Sequence, residues 1–437
     1  MSMAFNGDLH LADFHILERI RAGSACLPDL DEAIRRELSA LGLPSQKLRG
    51  RRIAVTVGSR GVARVAEITR AICAWLKAEG AAPFVFPAMG SHGGATDEGQ
   101  CKILEDYGVT ADFVGAEIRS SMETVSLGRT PEGYEVFMDR SAFDSDGVVV
   151  MNRVKPHTAF AGRVESGLSK MMAVGMGKIE GAAEFHRHAC RAGYEPVVRA
   201  MASRVLASGK ILCGVAVVEN EFHEIAAVRA ALPETLVTRE EEALALSKTL
   251  VPRLPFPRFQ MLIVDELGKN ISGSGMDTKV IGRGVALAPD EAPKIQLIYA
   301  RGLTPESGGN ALGVGLADLI HERLYRAIDF QKMYLNAITS MNPVTVRLPI
   351  HLPTDREALR YALGILGSPR PEEQRIVWIP NTLALQRIAV SSALASEIHP
   401  PEPNGPRRAR GLADWRLDSV ARPMRWDASG DLLRNDL

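Results

Sequence analysis

Apolar positions along this 437-residue chain fall into short unbroken runs separated by segments with helical spacing. Arg52-Ile-Ala-Val-Thr-Val57 is a β-branched run that stops at Gly58. Between residues 62 and 77, Val62, Val65, Ile68, Ile72 and Trp75 share one side of a 3.6-residue repeat, which predicts a helix. Residues 83–87 read as a second strand, and Thr96 caps a predicted helix reaching Tyr107. Residues 147–151 and 211–218 are almost wholly apolar, as expected of strands covered on both faces. This alternation predicts the α/β class with mainly parallel sheets.

Val251-Pro-Arg-Leu-Pro-Phe-Pro257 carries three prolines, a composition that resists helix and sheet alike and reads as a linker. It divides the chain into an N-terminal domain, 1–254, and a C-terminal domain, 258–404. In the second half, strands are expected at 260–264, 296–299, 344–348 and 375–379, with a helix over 312–328. The polar, Pro- and Arg-rich tail, about 405–437, is expected either to stay loose or to pack back on the first domain.

Lys plus Arg (52) balances Asp plus Glu (52), so no strong field favours nucleic acid or an anionic membrane. The five cysteines are scattered and form no Cys-x-x-Cys, which speaks against a disulfide framework or a zinc ribbon and for a reducing compartment. No basic-then-apolar leader and no apolar stretch near the ~20 residues of a membrane helix is present, so a cytoplasmic location is expected.

Candidate chemistry gathers where predicted strands end, the usual ligand position in α/β proteins. Gly58-Ser59-Arg60-Gly61 follows the first strand and offers a guanidinium fork for a carboxylate or phosphate. Gly90-Ser-His92-Gly-Gly94 follows the second, and His157 follows the strand at 147–151. The ordinary alternatives are a glycine turn, a solvated arginine and histidines that satisfy loop hydrogen bonds. Downstream stand Lys170 among small residues, Gly175-Met-Gly177-Lys178, and His186 with His188 on a predicted helix, where they face different sides. His186 and Cys190, four apart, share a face and have a metal-ligand spacing, although a partly exposed helix with incidental ligand types reads equally well. Gly177-Lys178 does not fit a phosphate loop, because Met172 and Ile179 occupy positions that need Gly and Ser or Thr. No dinucleotide fingerprint is present. Gly268-Lys269-Asn270, opening a Gly-rich stretch, is a candidate second wall of an interdomain site.

These residues resemble one family, the nickel-pincer-nucleotide-dependent lactate racemases. His157-Thr-Ala-Phe-Ala-Gly162 is similar to the family's His-Phe-Phe-Ala-Gly, and Ser166-Gly167-Leu168-Ser169-Lys170 to its Ser-Gly-Gly-Arg-Lys. A histidine sixteen residues after the lysine (186 − 170) matches His186, Gly175 matches a family glycine, and Gly90-Ser-His92 resembles a Gly-x-His loop. The chain departs from the pattern at Leu168 and Ser169, in a longer interval between His157 and Lys170, and in lacking the acidic residue that precedes the family arginine. The resemblance implies two α/β domains with the active site in the cleft between them. It implies a racemase or epimerase of a 2-hydroxy acid or related hydroxy-carbon substrate.

It further implies that Lys170 carries the pyridinium mononucleotide with its two sulfur arms, near Gly167 and Gly175. His186 would ligate nickel, soft sulfur with imidazole suiting a square-planar Ni(II) centre. His92 and His157 would exchange the hydroxyl proton, and Arg60 with Lys269 would hold the substrate carboxylate. Implied partners are a small hydroxy acid and the proteins that make the cofactor, and a homodimer is compatible with the sequence. Two rival readings remain at this point: a zinc-dependent hydrolase using His186, Cys190 and a third ligand such as His157, and a non-catalytic cofactor- or ligand-binding homologue.

Overall fold

The computed structural model describes residues 9–21, 24–59, 61–158, 160–284, 293–339, 342–367, 369–398 and 414–433. They fall into two compact units. One is formed by residues 24–251, the other by the described residues before 22 and after 251. The chain's first strand, β1 (Phe14–Arg19), therefore belongs with the C-terminal unit, unlike the expected 1–254 division.

The N-terminal unit runs α1 (Leu30–Ser39), β2 (Arg52–Val57), α2 (Val65–Ala78), β3 (Ala82–Pro87), α3 (Asp97–Asp106), α4 (Ala111–Val114) and β4 (Glu117–Ile118). A hairpin of β5 (Thr124–Arg129) and β6 (Glu135–Asp139) follows, then α5 (Arg140–Phe143) and β7 (Gly147–Arg153). After β7 come α6 (Leu168–Lys170), a π-helical turn at Met171–Gly175, α7 (Lys178–Ala192) and α8 (Tyr194–Leu206). The unit closes with β8 (Ile211–Glu219), β9 (Ile225–Ala231) and α9 (Leu236–Leu250).

Its main sheet has the order β4-β3-β2-β7-β8-β9, parallel throughout except for β9. Alternate residues feed two cores. Ala54, Val148 and Val150 meet Phe185, Met201 and Leu244 on one face, while Ile53, Val55 and Val149 meet Ile34, Ile68 and Ile72 on the other. Burial on both faces is why these strands carry no polar alternation. Thr96 caps α3 as expected, its hydroxyl accepting the Gly99 amide at 3.0 Å.

The C-terminal unit contains β10 (Arg258–Val264), β11 (Lys294–Ala300), β12 (Leu319–His321), β13 (Ile350–Leu352), β14 (Ile376–Ile379), β15 (Arg387–Ser391) and β16 (Trp415–Leu417). With β1 they form one sheet, β13-β12-β11-β10-β14-β15-β1-β16, parallel from β13 to β14 and antiparallel beyond. Two expectations fail here. The predicted helix over 312–328 is interrupted by β12, because Gly313 adopts φ 102° and Leu319 and Ile320 are drawn into register with Tyr299 and Ala300. The predicted strand at 344–348 is instead a 3₁₀ turn, Pro343–Val346, whose Val344 carbonyl would lie only 2.6 Å from a Cβ at Gly315. Residues 414–433, expected to be loose or folded onto the first domain, are tied into this sheet through β16 and a bridge between Phe14 and Arg422.

Candidate functional site

The parallel sheet of the N-terminal unit delivers the ends of β2, β3 and β7 side by side. The π-helical turn that follows Lys170 packs against two of these ends. The Gly90 amide donates to the Gly175 carbonyl at 3.0 Å, and a Cβ at Gly58 would lie 3.0 Å from the Met171 methyl. His92 hydrogen-bonds Ser59 Oγ through Nδ1, and Tyr107 donates its hydroxyl to the Ser59 carbonyl at 2.7 Å. Buried Gln100 holds the loop from below, donating to the Gly90 and His92 carbonyls at 2.9 and 3.2 Å. Arg60 lies outside the described residues.

Beyond β7 the chain closes a loop through paired Lys155 and Ser166 amides and carbonyls. Glu165, buried inside it, accepts the His157 amide at 2.6 Å and pairs with Lys248 of α9 at 2.6 Å. This closure absorbs the long interval between His157 and Lys170, whose side chains meet at Nε2 and Nζ, 2.5 Å apart. Phe160 packs on the His157 ring and stacks on Tyr194 at 5.2 Å.

The glycines of this stretch make room for protein atoms. A Cβ at Gly162 or Gly167 would sit 2.2 Å from a carboxylate oxygen of Glu195 or Glu240, and one at Gly175 would sit 2.6 Å from the Ala88 carbonyl. For Gly167 and Gly175 the approach that needs glycine is therefore made by the fold itself.

Helix α7 separates its two histidines. His188 bonds Glu184 at 3.0 Å and packs on Tyr134. His186 meets the edge of Phe185 and makes no hydrogen bond among the described residues. Burial first, then the Lys170 charge, pushes its pKa down to about 4. At neutral pH His186 is thus an uncharged imidazole, able to act as a donor and lying within the field of the Lys170 amine. Cys190 turns away, its exposed thiol donating to the Arg187 carbonyl at 3.3 Å. The triad His186, Cys190 and His157 is not assembled as a metal site among the described residues.

A group that does bring three ligand-type side chains together lies in the C-terminal unit: His321, Asp355 and Asp431. Its lone pairs are taken. Asp355 accepts from Tyr299 at 2.5 Å, from Arg301 at 3.0 and 2.7 Å, and from the Leu432 amide at 2.7 Å. His321 Nδ1 accepts the Arg323 amide at 2.9 Å, which leaves Nε2–H to face Asp431 at 2.8 Å. Lys269, also of this unit, donates to the Gly273 carbonyl at 2.7 Å.

Sequence reasoning missed the buried groups behind the site. Glu165 and Glu240 give no local signal. Lys178, fully buried, contacts the Pro87 carbonyl, Gln100 and Asp139 at 2.5, 3.1 and 3.1 Å. Its backbone is left-handed (φ 52°) at the start of α7.

Residues 29–195 match the model of the lactate racemase N-terminal domain. The fold is similar to that of the lactate racemase apoprotein from Thermoanaerobacterium thermosaccharolyticum, with 16% identity and a TM-score of 0.50, over 84% of this chain and 94% of that one. A crystal structure of a protein from Thermotoga maritima matches at 16% identity and a TM-score of 0.49, over 80% of this chain and 96% of the other. No curated protein matches the chain.

Proposed function

We propose that this chain is a racemase or epimerase of a 2-hydroxy acid or related hydroxy-carbon substrate, a reading supported by the match of residues 29–195 to the lactate racemase N-terminal domain. In this reading it works with a nickel-pincer nucleotide attached to Lys170. One observation carries the reading: His186 is partly buried, neutral at pH 7 and without a hydrogen-bond partner among the described residues, and it feels the charge of Lys170. A covalent anchor and a vacant soft-to-borderline donor in one field form the pair that such a group requires.

Lys170 would hold the cofactor, and His186 would complete the nickel coordination. The bound group supplies a ring that takes up and returns a hydride. The protein's own part is acid–base work and orientation. Inversion needs proton exchange on both faces of the substrate, because the hydroxyl of the product points the other way. His157, beside Lys170, and His92, which follows β3 and bonds Ser59 at the end of the intervening β2, take these roles. Ser59 sets the orientation of His92, while Glu165 fixes the backbone of His157. Arg60 and Lys269 are assigned to the substrate carboxylate, Arg60 as a two-pronged donor.

The test is intact-mass measurement of protein co-expressed with the cofactor-making proteins, wild type against Lys170→Ala. A mass increase present in the first and absent in the second supports the reading. No increase in either, with the same pathway loading a known family member, overturns it. Metal analysis of the loaded protein should give nickel; stoichiometric zinc without nickel would overturn the nickel assignment.

A further inference from the structure

Helix α6 starts at Gly167 with no side-chain cap of its own. The first amides of a helix need acceptors, and buried amides without them are costly. Glu240 of α9, more than seventy residues away in sequence and fully buried, supplies them. Its two oxygens accept the Ser169 amide at 3.1 and 3.0 Å, and the Ser169 hydroxyl donates to one of them. The same carboxylate fills the space that a side chain at residue 167 would need. An apolar residue would serve an ordinary core at this position, since burying a carboxylate is unfavourable without a dedicated set of donors.

Two turns further along α9, Lys248 pairs with Glu165 and donates to the Gly162 carbonyl at 2.9 Å. Glu165 in turn holds the His157 amide. One helix therefore grips the loop behind His157 and the turn that presents Lys170.

We propose that Glu240 is a positioning residue for Lys170, a cap supplied from α9 that aims the amine for attachment of its cofactor. The proposal rests on the function argued above. Attachment joins the amine nitrogen to the thiocarboxyl carbon of one cofactor arm as a thioamide, the carbon–oxygen bond breaking and water leaving with the amine proton, so it needs close approach and a small rotation of α6 lowers the rate steeply.

The experiment compares wild type, Glu240→Ala, Glu240→Gln and Ser169→Ala in two measurements. The first is cofactor loading by intact mass, per folded protein, with thermal unfolding as the control for folding. Loading should fall about tenfold in Glu240→Ala and less in Ser169→Ala. Glu240→Gln, which keeps an oxygen facing the Ser169 amide, should restore it to within about twofold of wild type. The second uses cofactor-free protein: brief amine acetylation, with Lys170 read against exposed Lys102 by peptide mass. The Lys170-to-Lys102 ratio should change about threefold or more in Glu240→Ala and stay near wild type in Glu240→Gln. If Glu240→Ala does not fold, Ser169→Ala carries both measurements. Unchanged loading and an unchanged ratio in folded Glu240→Ala, or in Ser169→Ala where the first does not fold, overturn the proposal. Absence of loading in wild type overturns the functional reading instead, and the acetylation ratio then still decides the role of Glu240.

Discussion

His321 in the C-terminal unit is buried and His186 in the N-terminal unit partly buried, and their surroundings differ. His321 uses both ring nitrogens, one for the Arg323 amide and one for Asp431, within a network where Arg301 is flanked by Asp265 and Asp355. His186 is partly buried and makes no hydrogen bond among the described residues. A buried polar group with every bond made holds a fold together, whereas a partly buried base with no protein partner keeps a lone pair open to a ligand. The three-ligand group of the C-terminal unit is thus a clamp: Asp355 and Arg301 together hold the Leu432 amide and carbonyl, at 2.7 and 2.6 Å.

The largest expected effect would break this comparison at the clamp. Asp355→Ala leaves buried Arg301 with Asp265 as its remaining carboxylate and strips the tail of an acceptor. Urea unfolding should show a loss of about 3–5 kcal/mol; a loss below about 1 kcal/mol would reopen the cluster as a ligand site.

A second test uses pH in cofactor-free protein. His186 has a folded pKa near 4 against 6.5 in the unfolded chain, so its contribution is intact above 6.5 and lost as pH falls towards 4. Glu240 is pushed up to about 7 from 4.5, so its contribution is intact below 4.5 and lost as pH rises through 7. Each is worth at most about 3 kcal/mol, and the two oppose each other between pH 4.5 and 6.5. Unfolding free energy against pH should therefore fall less steeply on acidification in His186→Gln than in wild type, and more steeply in Glu240→Gln. Identical slopes in all three proteins would refute these environments.

Smaller effects sharpen the contrast between neighbours. His186→Ala breaks no described hydrogen bond and should cost about 1 kcal/mol or less in cofactor-free protein, while abolishing nickel retention in loaded protein. His188→Ala loses only its pairing with Glu184 and its packing on Tyr134, worth about 0–1 kcal/mol, and should leave nickel content unchanged. Equal metal loss in both variants would remove the distinction drawn on α7.

The strands at 52–57 and 147–151 and the Thr96 cap were legible because their causes are local: unbroken β-branched runs, and a hydroxyl three residues before the amide it accepts. The segment 312–328 misled because its apolar residues satisfy a helical period as well as they satisfy β12, and only pairing with β11 chooses between them. At the site, Lys170 and His186 were legible as a motif, and the two-residue offset already placed His186 and His188 on different sides of a helix. The sixteen-residue interval from Lys170 already chose His186 over His188, but the carboxylates that hold the loop were not legible, because Glu240 approaches from another helix.

Chain order alone determined the alternation of strands and helices, the α/β class, and the candidate residues His92, His157, Lys170 and His186. The alternation follows from side-chain periodicity, and the candidates from residue chemistry at strand ends and from the family resemblance that their spacing carries. Only the tertiary structure decided that residues 414–433 complete the C-terminal sheet, that Gly167 yields its space to Glu240, and that burial lowers the pKa of His186. Each of these depends on which distant groups share a low-dielectric interior, and desolvation and long-range pairing have no periodicity in sequence.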